Sequence, residues 1–266
     1  MRIPSLNPLF DSEWDQNKSL DKQCAHLVNF VKSQELQGVD IHVLREEGRT
    51  PFLIVKVDKF GDTESKENVL MYGHMDKQPF GDGWNTDPCE PVIKDGRLYG
   101  RGSSDDGYAL FTAVMAIKAC QHLGKSHPKI VITIEGSEEG EIFDLVHYLK
   151  KHKDLLENPT LVVCLDAGAS SEDTVTICSC LRGCITFDLK ATVGENNLHS
   201  GMGGGICPNV FNILNCLLGR IQDYKTQEVI DDLQLKEIPP YRLEEIKNLG
   251  ETQEFMPDGT PMFKTT

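Results

Sequence analysis

His74 and Asp76 stand two apart just beyond an apolar run, Val69 to Tyr72, that stops at Gly73. In an extended segment, side chains two apart point the same way, so Asp76 can hold the imidazole of His74 in one tautomer. A metal-ligating histidine needs that support. A glycine-rich turn from Gly100 to Gly107 then delivers Asp105 and Asp106 just ahead of a helical stretch. Glu138 and Glu139 follow the apolar run Lys129 to Ile134, and Asp166 directly follows Leu161 to Leu165. A histidine and carboxylates delivered by successive loops are the ingredients of a hydrolytic metal centre. Singly these signals are weak. Adjacent acids also suit a helix N-terminus, and a glycine-rich turn also suits an ordinary strand-to-helix connection.

The elements that must position these groups read as an α/β fold. Val69–Tyr72, Lys129–Ile134 and Leu161–Leu165 are continuous apolar runs of strand length. Tyr108–Leu123 is apolar nearly all round and reads as a helix buried against a sheet. Residues 19–36 and a stretch from Phe143 to Leu149 read as further helices, and Asp40–Leu44 and Phe52–Val57 as strands. Continuous apolar strands alternating with helices predict a largely parallel sheet covered by helices on both faces. Open sheets of that kind collect their functional groups at the carboxyl ends of the strands, so the residues after each run should converge.

The character changes at Arg182. Residues 185–193 alternate strictly, with Ile185, Phe187 and Leu189 on one side, as a half-exposed antiparallel strand would. We therefore divide the chain into a catalytic domain, residues 1–181, and a second, α+β domain, residues 182–266, with a helix from Asn209 to Ile221 opened by Pro208. An antiparallel strand needs partners, so this second domain reads as incomplete.

Composition narrows the function classes. A net charge of −14 disfavours nucleic acid or an anionic membrane surface as partner. No apolar run reaches the length of a membrane span, and the first residues lack a basic-then-apolar leader. The expected setting is the cytoplasm. The nine cysteines are scattered; Cys178, Cys180 and Cys184 cluster without paired knuckle spacing, so buried reduced thiols are expected over a structural zinc site.

Taken in order, GHMD, DGRLYGRGSSDDG, EGSEEG, LVVCLDAG, LRG and LHSGMGGG resemble the aminoacylase/carboxypeptidase/dipeptidase metallopeptidases, and most of all the cytosolic nonspecific (carnosine-type) dipeptidase group. The likeness spans nearly all of residues 3–221. It implies two zinc ions, or manganese, with His74, Asp105 and Asp166 on one, Asp105 bridging, and Glu139 on the other. It implies Glu138 as general base, Asp76 as the carboxylate orienting His74, and a cis bond between Asp105 and Asp106. His199 resembles a lid histidine that stabilises the oxyanion in the other subunit of a homodimer, which makes residues 182–266 a partial lid and dimerisation domain. The substrate implied is a dipeptide or short peptide. An N-acyl amino acid cleaved by the same centre, or a shortened non-catalytic relative, are the competing readings.

Three departures accompany the likeness. Gly107 stands where lysine is common, the segment after Glu139 is short, and no histidine follows His199 although a further ligand histidine is expected there. The sequence therefore reads as a piece of such an enzyme, expected to bind at most one ion tightly.

Overall fold

Residues 1–62, 64–140, 143–168, 175–178, 181, 183–234 and 237–248 are described by a computed structural model. Its contacts divide the chain into two units, Met1–Leu181 and Arg182–Thr266.

In the first unit, β1 (Val39–Leu44), β2 (Phe52–Val57), β3 (Asn68–His74), β6 (Lys129–Glu135) and β7 (Leu161–Cys164) form one sheet in the order β1-β2-β6-β3-β7. β3 lies parallel to both β6 and β7, while β1 and β2 are antiparallel to their neighbours. The expected parallel arrangement thus holds for the three strands that precede the candidate ligands. β1 and β2 depart from it because the link Arg45–Pro51 is too short for the crossover that parallel pairing requires.

β2, but for Lys56, and the Ile130–Ile134 run of β6, but for Thr133, are apolar because both faces are covered. On one face Leu53, Val55, Val57, Ile130, Ile132 and Ile134 pack against α2 (Ser19–Ser33) and α3 (Ala109–His122). On the other, Phe52, Ile54, Leu70 and Val131 pack around Tyr148 of α4 (Phe143–Lys151). Each such side chain contributes about 1.5–3 kcal/mol by leaving water, which makes the sheet a rigid base for the loops at its edge. A short hairpin, β4 (Val92–Lys94) and β5 (Arg97–Tyr99), turns through Asp95 and Gly96 at φ 52° and 78°. That pair of positive φ values is the tight-turn geometry an Asp-Gly dipeptide favours.

Gly73 decides how closely α3 approaches β3. A Cβ there would run into the Ala109 side chain and the Asp106 carboxylate. Gly73→Ala is therefore expected to cost ~1–3 kcal/mol through overpacking, read as a lowered melting temperature; an unchanged melt would mean α3 can retreat freely.

The second unit carries α5 (Ser200–Gly203), α6 (Val210–Leu218) and α7 (Pro240–Asn248). Asn209 caps α6, its side chain accepting the N–H groups of Phe211 and Asn212, so Pro208 lies before the cap rather than opening the helix. The expected strand at 185–193 is absent: those residues pair with nothing among the described residues, and Ile185 is 70% exposed. Alternation predicts a face to bury, but only a neighbouring strand's ladder makes a strand. The expected burial of the clustered cysteines fails for the same reason, since Cys178 and Cys184 are exposed; Cys180 lies outside the described residues. Among the described residues no helix is long and apolar enough to cross a membrane.

Candidate metal centre

The carboxyl ends of β6, β3 and β7 finish level. His74 pairs with Glu135 in register, and the Tyr72–Cys164 pairing, extended by the Leu165 N–H bond to Tyr72 O, brings Asp166 to the height of His74. His74 is 2% exposed. Its Nδ1 lies 3.1 Å from the Asp76 carbonyl oxygen and 3.4 Å from its carboxylate. That leaves Nε2 facing three acids from three loops: Asp105 at 3.0 Å, Asp166 at 3.7 Å and Glu138 at 3.8 Å. The ligand atoms of His74, Asp105 and Asp166 all lie within 4.8 Å of one another.

Asp76, fully buried, ties the strand ends together. One of its carboxylate oxygens accepts the Glu138 N–H at 3.2 Å, and the other accepts the Glu139 N–H at 3.0 Å. Asp106 ties β3 to α3, accepting the backbone N–H of His74 at 3.0 Å and of Ala109 at 3.3 Å. The Glu139 carboxylate stands outside the close group and accepts from Gln78 Nε2 at 2.6 Å. His199 lies in the second unit, where its Nδ1 accepts the Gly201 N–H and caps α5. The Asp105–Asp106 bond, expected to be cis, is trans. Trans is the lower-energy form by roughly 3 kcal/mol for any residue before a non-proline.

The electrostatics show a site short of positive charge. Burial pulls the His74 imidazole down, but the hydrogen bond and charge of Asp76, with Asp106 and Asp166, overcome it and raise it to about 10. Burial pushes Asp106 up to about 7, and Glu135, despite the Tyr72 hydroxyl donating to it at 2.6 Å, also to about 7. Glu138, Glu139 and Asp166 are raised as well, by burial first and then by neighbouring carboxylates. Acids that resist ionising around one imidazole are the environment a divalent cation relieves, and the His-Asp-Asp donor set suits zinc or manganese.

Several of these contacts were not legible beforehand. Asn7, whose Nδ2 donates to Asp76 at 2.7 Å, is 69 residues away and sits in no recognisable pattern. Gln78 follows Asp76 at the same two-residue step that joins His74 to Asp76, which was the available signal.

A model of the peptidase family M20/M25/M40 matches residues 70–245. The chain is 28% identical over 259 residues to the Cys-Gly metallodipeptidase DUG1 of Saccharomyces cerevisiae, covering 87% of this chain and 53% of the relative. It is 30% identical over 224 residues to the human Beta-Ala-His dipeptidase, covering 78% and 44% respectively. The chain thus spans about half the length of the curated relatives it matches. The fold is shared with human carnosine dipeptidase 1, at a TM-score of 0.60 and 21% identity over 94% of this chain and 54% of that one. It is likewise shared with a metallo-carboxypeptidase from Sulfolobus solfataricus, at a TM-score of 0.61 and 20% identity over 95% and 57%. With the family match running through β3, β6 and β7 and every acid beyond them, the chain belongs to the M20/M25/M40 peptidases.

Proposed function

We propose that this chain carries the catalytic centre of a metal-dependent dipeptidase that hydrolyses dipeptides or short peptides. The observation behind the reading is His74 Nε2, at the end of β3, aimed at Asp105 on the turn before α3, at Asp166 beyond β7 and at Glu138 beyond β6. In this reading His74, Asp105 and Asp166 hold one zinc or manganese ion, and Glu139, with Asp105 as the shared carboxylate, serves a second. A divalent ion there supplies a Lewis acid for the peptide carbonyl and lowers the pKa of water. Glu138 takes the proton of the attacking water and returns it to the leaving amine. Its carboxylate, 3.8 Å from His74 Nε2, borders the ligand group without belonging to it, so it keeps an oxygen for the proton. Asp76 fixes the ring of His74 and, through two N–H groups, the turn that carries Glu138. His199 and residues 182–266 would serve as lid and homodimer contact, and the cytoplasm as the setting.

Titrating the ion-free chain with zinc or manganese tests the reading. One ion per chain is expected to bind tightly, because one complete donor group closes within 4.8 Å. A chain that binds neither metal sinks the proposal, and cleavage of N-acyl amino acids in preference to dipeptides redirects it to a deacylase.

A pH dependence follows from the same charges. His74 at about 10, and Asp106 and Glu135 at about 7, all bind protons more tightly in the folded chain than in the unfolded one. Each shift therefore favours the ion-free fold at low pH. For the two acids that advantage is lost as pH rises from the ordinary carboxylate range to about 7, and for His74 as it rises to about 10. The melting temperature of the chelator-treated chain should fall between roughly pH 5 and roughly pH 9. Saturating zinc should flatten the fall, because the ion replaces the bound protons. An ion-free melting curve that does not drop over this range contradicts the charge assignment.

A further inference from the structure

The first residues of the chain form a strap along the loop after β3. Ser5 Oγ donates to Met75 O at 2.9 Å and the Asn7 N–H to Lys77 O at 3.0 Å. Lys77 Nζ returns to the carbonyls of Met1 and Ile3 at 3.1 and 2.7 Å. Asn7 is 1% exposed and is the strap's one side chain that reaches the centre, donating from Nδ2 to Asp76 Oδ2 at 2.7 Å. Its Oδ1 accepts the Leu9 N–H at 2.8 Å. That bond sets the amide's orientation, because only the oxygen can take a proton from Leu9 and only the NH₂ can give one to a carboxylate.

The carboxylate torsion of an aspartate is broad and soft, so hydrogen bonds rather than rotamer preference fix it. Asp76 must satisfy His74 and the N–H groups of Glu138 and Glu139 at once, which requires one setting of that torsion. We propose that Asn7 is a positioning residue of the metal centre: its carboxamide fixes the Asp76 carboxylate, and through it the ring of His74 and the turn bearing Glu138. The inference rests on the metal reading above. The same amide also sits against the far end of that turn, where a Cβ on Gly140 would run into it.

Asn7→Asp keeps the shape and the acceptor for Leu9 but turns the donor into a second carboxylate oxygen facing Asp76. Asn7→Ala removes both bonds. Zinc affinity of the full chain is read by competition with a chelating dye, at a temperature where circular dichroism shows each variant folded. Both variants should bind zinc roughly 10–100-fold more weakly, the usual cost of disturbing the partners of a metal ligand. Ser5→Ala loosens the strap without touching Asp76 and should leave affinity unchanged. If the Asn7 variants do not fold, Gly140→Ala takes their place, displacing the amide with no change of charge and with the same expected loss. Unaltered affinity in the folded variants overturns the inference, and so does an equal loss in Ser5→Ala, which would assign the effect to the strap's packing. A wild-type chain that binds no zinc overturns the metal reading itself, a result distinct from either.

Discussion

His74→Ala is expected to abolish tight divalent-ion binding, with a loss exceeding the roughly 10–100-fold that follows from disturbing a ligand's partners alone. Among the described residues the imidazole is the nitrogen donor of the group formed with Asp105 and Asp166, and its removal leaves carboxylates that already repel each other. Without the ring, Asp76 also loses the group it orients. The ring is buried, so the variant will melt lower, and binding must be compared where both proteins are folded. His147→Ala is the control. That ring pairs with Glu46 at 3.2 Å on α4 and should change nothing at the centre. Equal loss in the two variants, or full zinc affinity in His74→Ala, would remove His74 from the ligand set.

The level strand ends explain why so much of this centre was readable from sequence. Val69–Tyr72 and Lys129–Ile134 are apolar because both sheet faces are covered there, whereas Leu161 and Val162 of the edge strand β7 are exposed; parallel pairing still carries the residues that follow all three strands to one edge. That geometry gathers His74, Glu138 and Asp166, while Asp105 reaches Nε2 of His74 from the glycine-rich turn ahead of α3. Strand direction elsewhere was not written in the apolar pattern: β2 is about as apolar as β6 yet runs antiparallel to it. Residues 185–193 show the converse, a clean alternation with no ladder to join among the described residues. The β4–β5 hairpin went unread, because its Asp-Gly turn is a two-residue signal between short and poorly apolar strands. Asn7 and the bridging role of Asp106 were not, since a polar contact across many residues leaves no periodicity.

The second large effect concerns turnover rather than binding. Glu138→Gln should leave the zinc stoichiometry as it is while lowering dipeptide hydrolysis by ~10²–10⁴-fold in the form of the protein that is active. Glutamine keeps the size of the side chain and leaves the backbone N–H that donates to Asp76 in place, so the turn and the ring of His74 should stay where they are. What it removes is an oxygen that can accept a proton. Burial raises the Glu138 carboxyl above its ordinary value, with Asp166 and Glu139 adding to the rise, and a base so poised binds the water's proton more readily than an exposed glutamate would. Asp166→Asn is the necessary comparison. That residue belongs to the close donor group, so its loss should weaken zinc and turnover together. Parallel metal titrations and dipeptide assays on the two variants separate the roles. If Glu138→Gln sheds zinc as readily as Asp166→Asn, Glu138 is a ligand, and the proton must be carried by another acid of the turn.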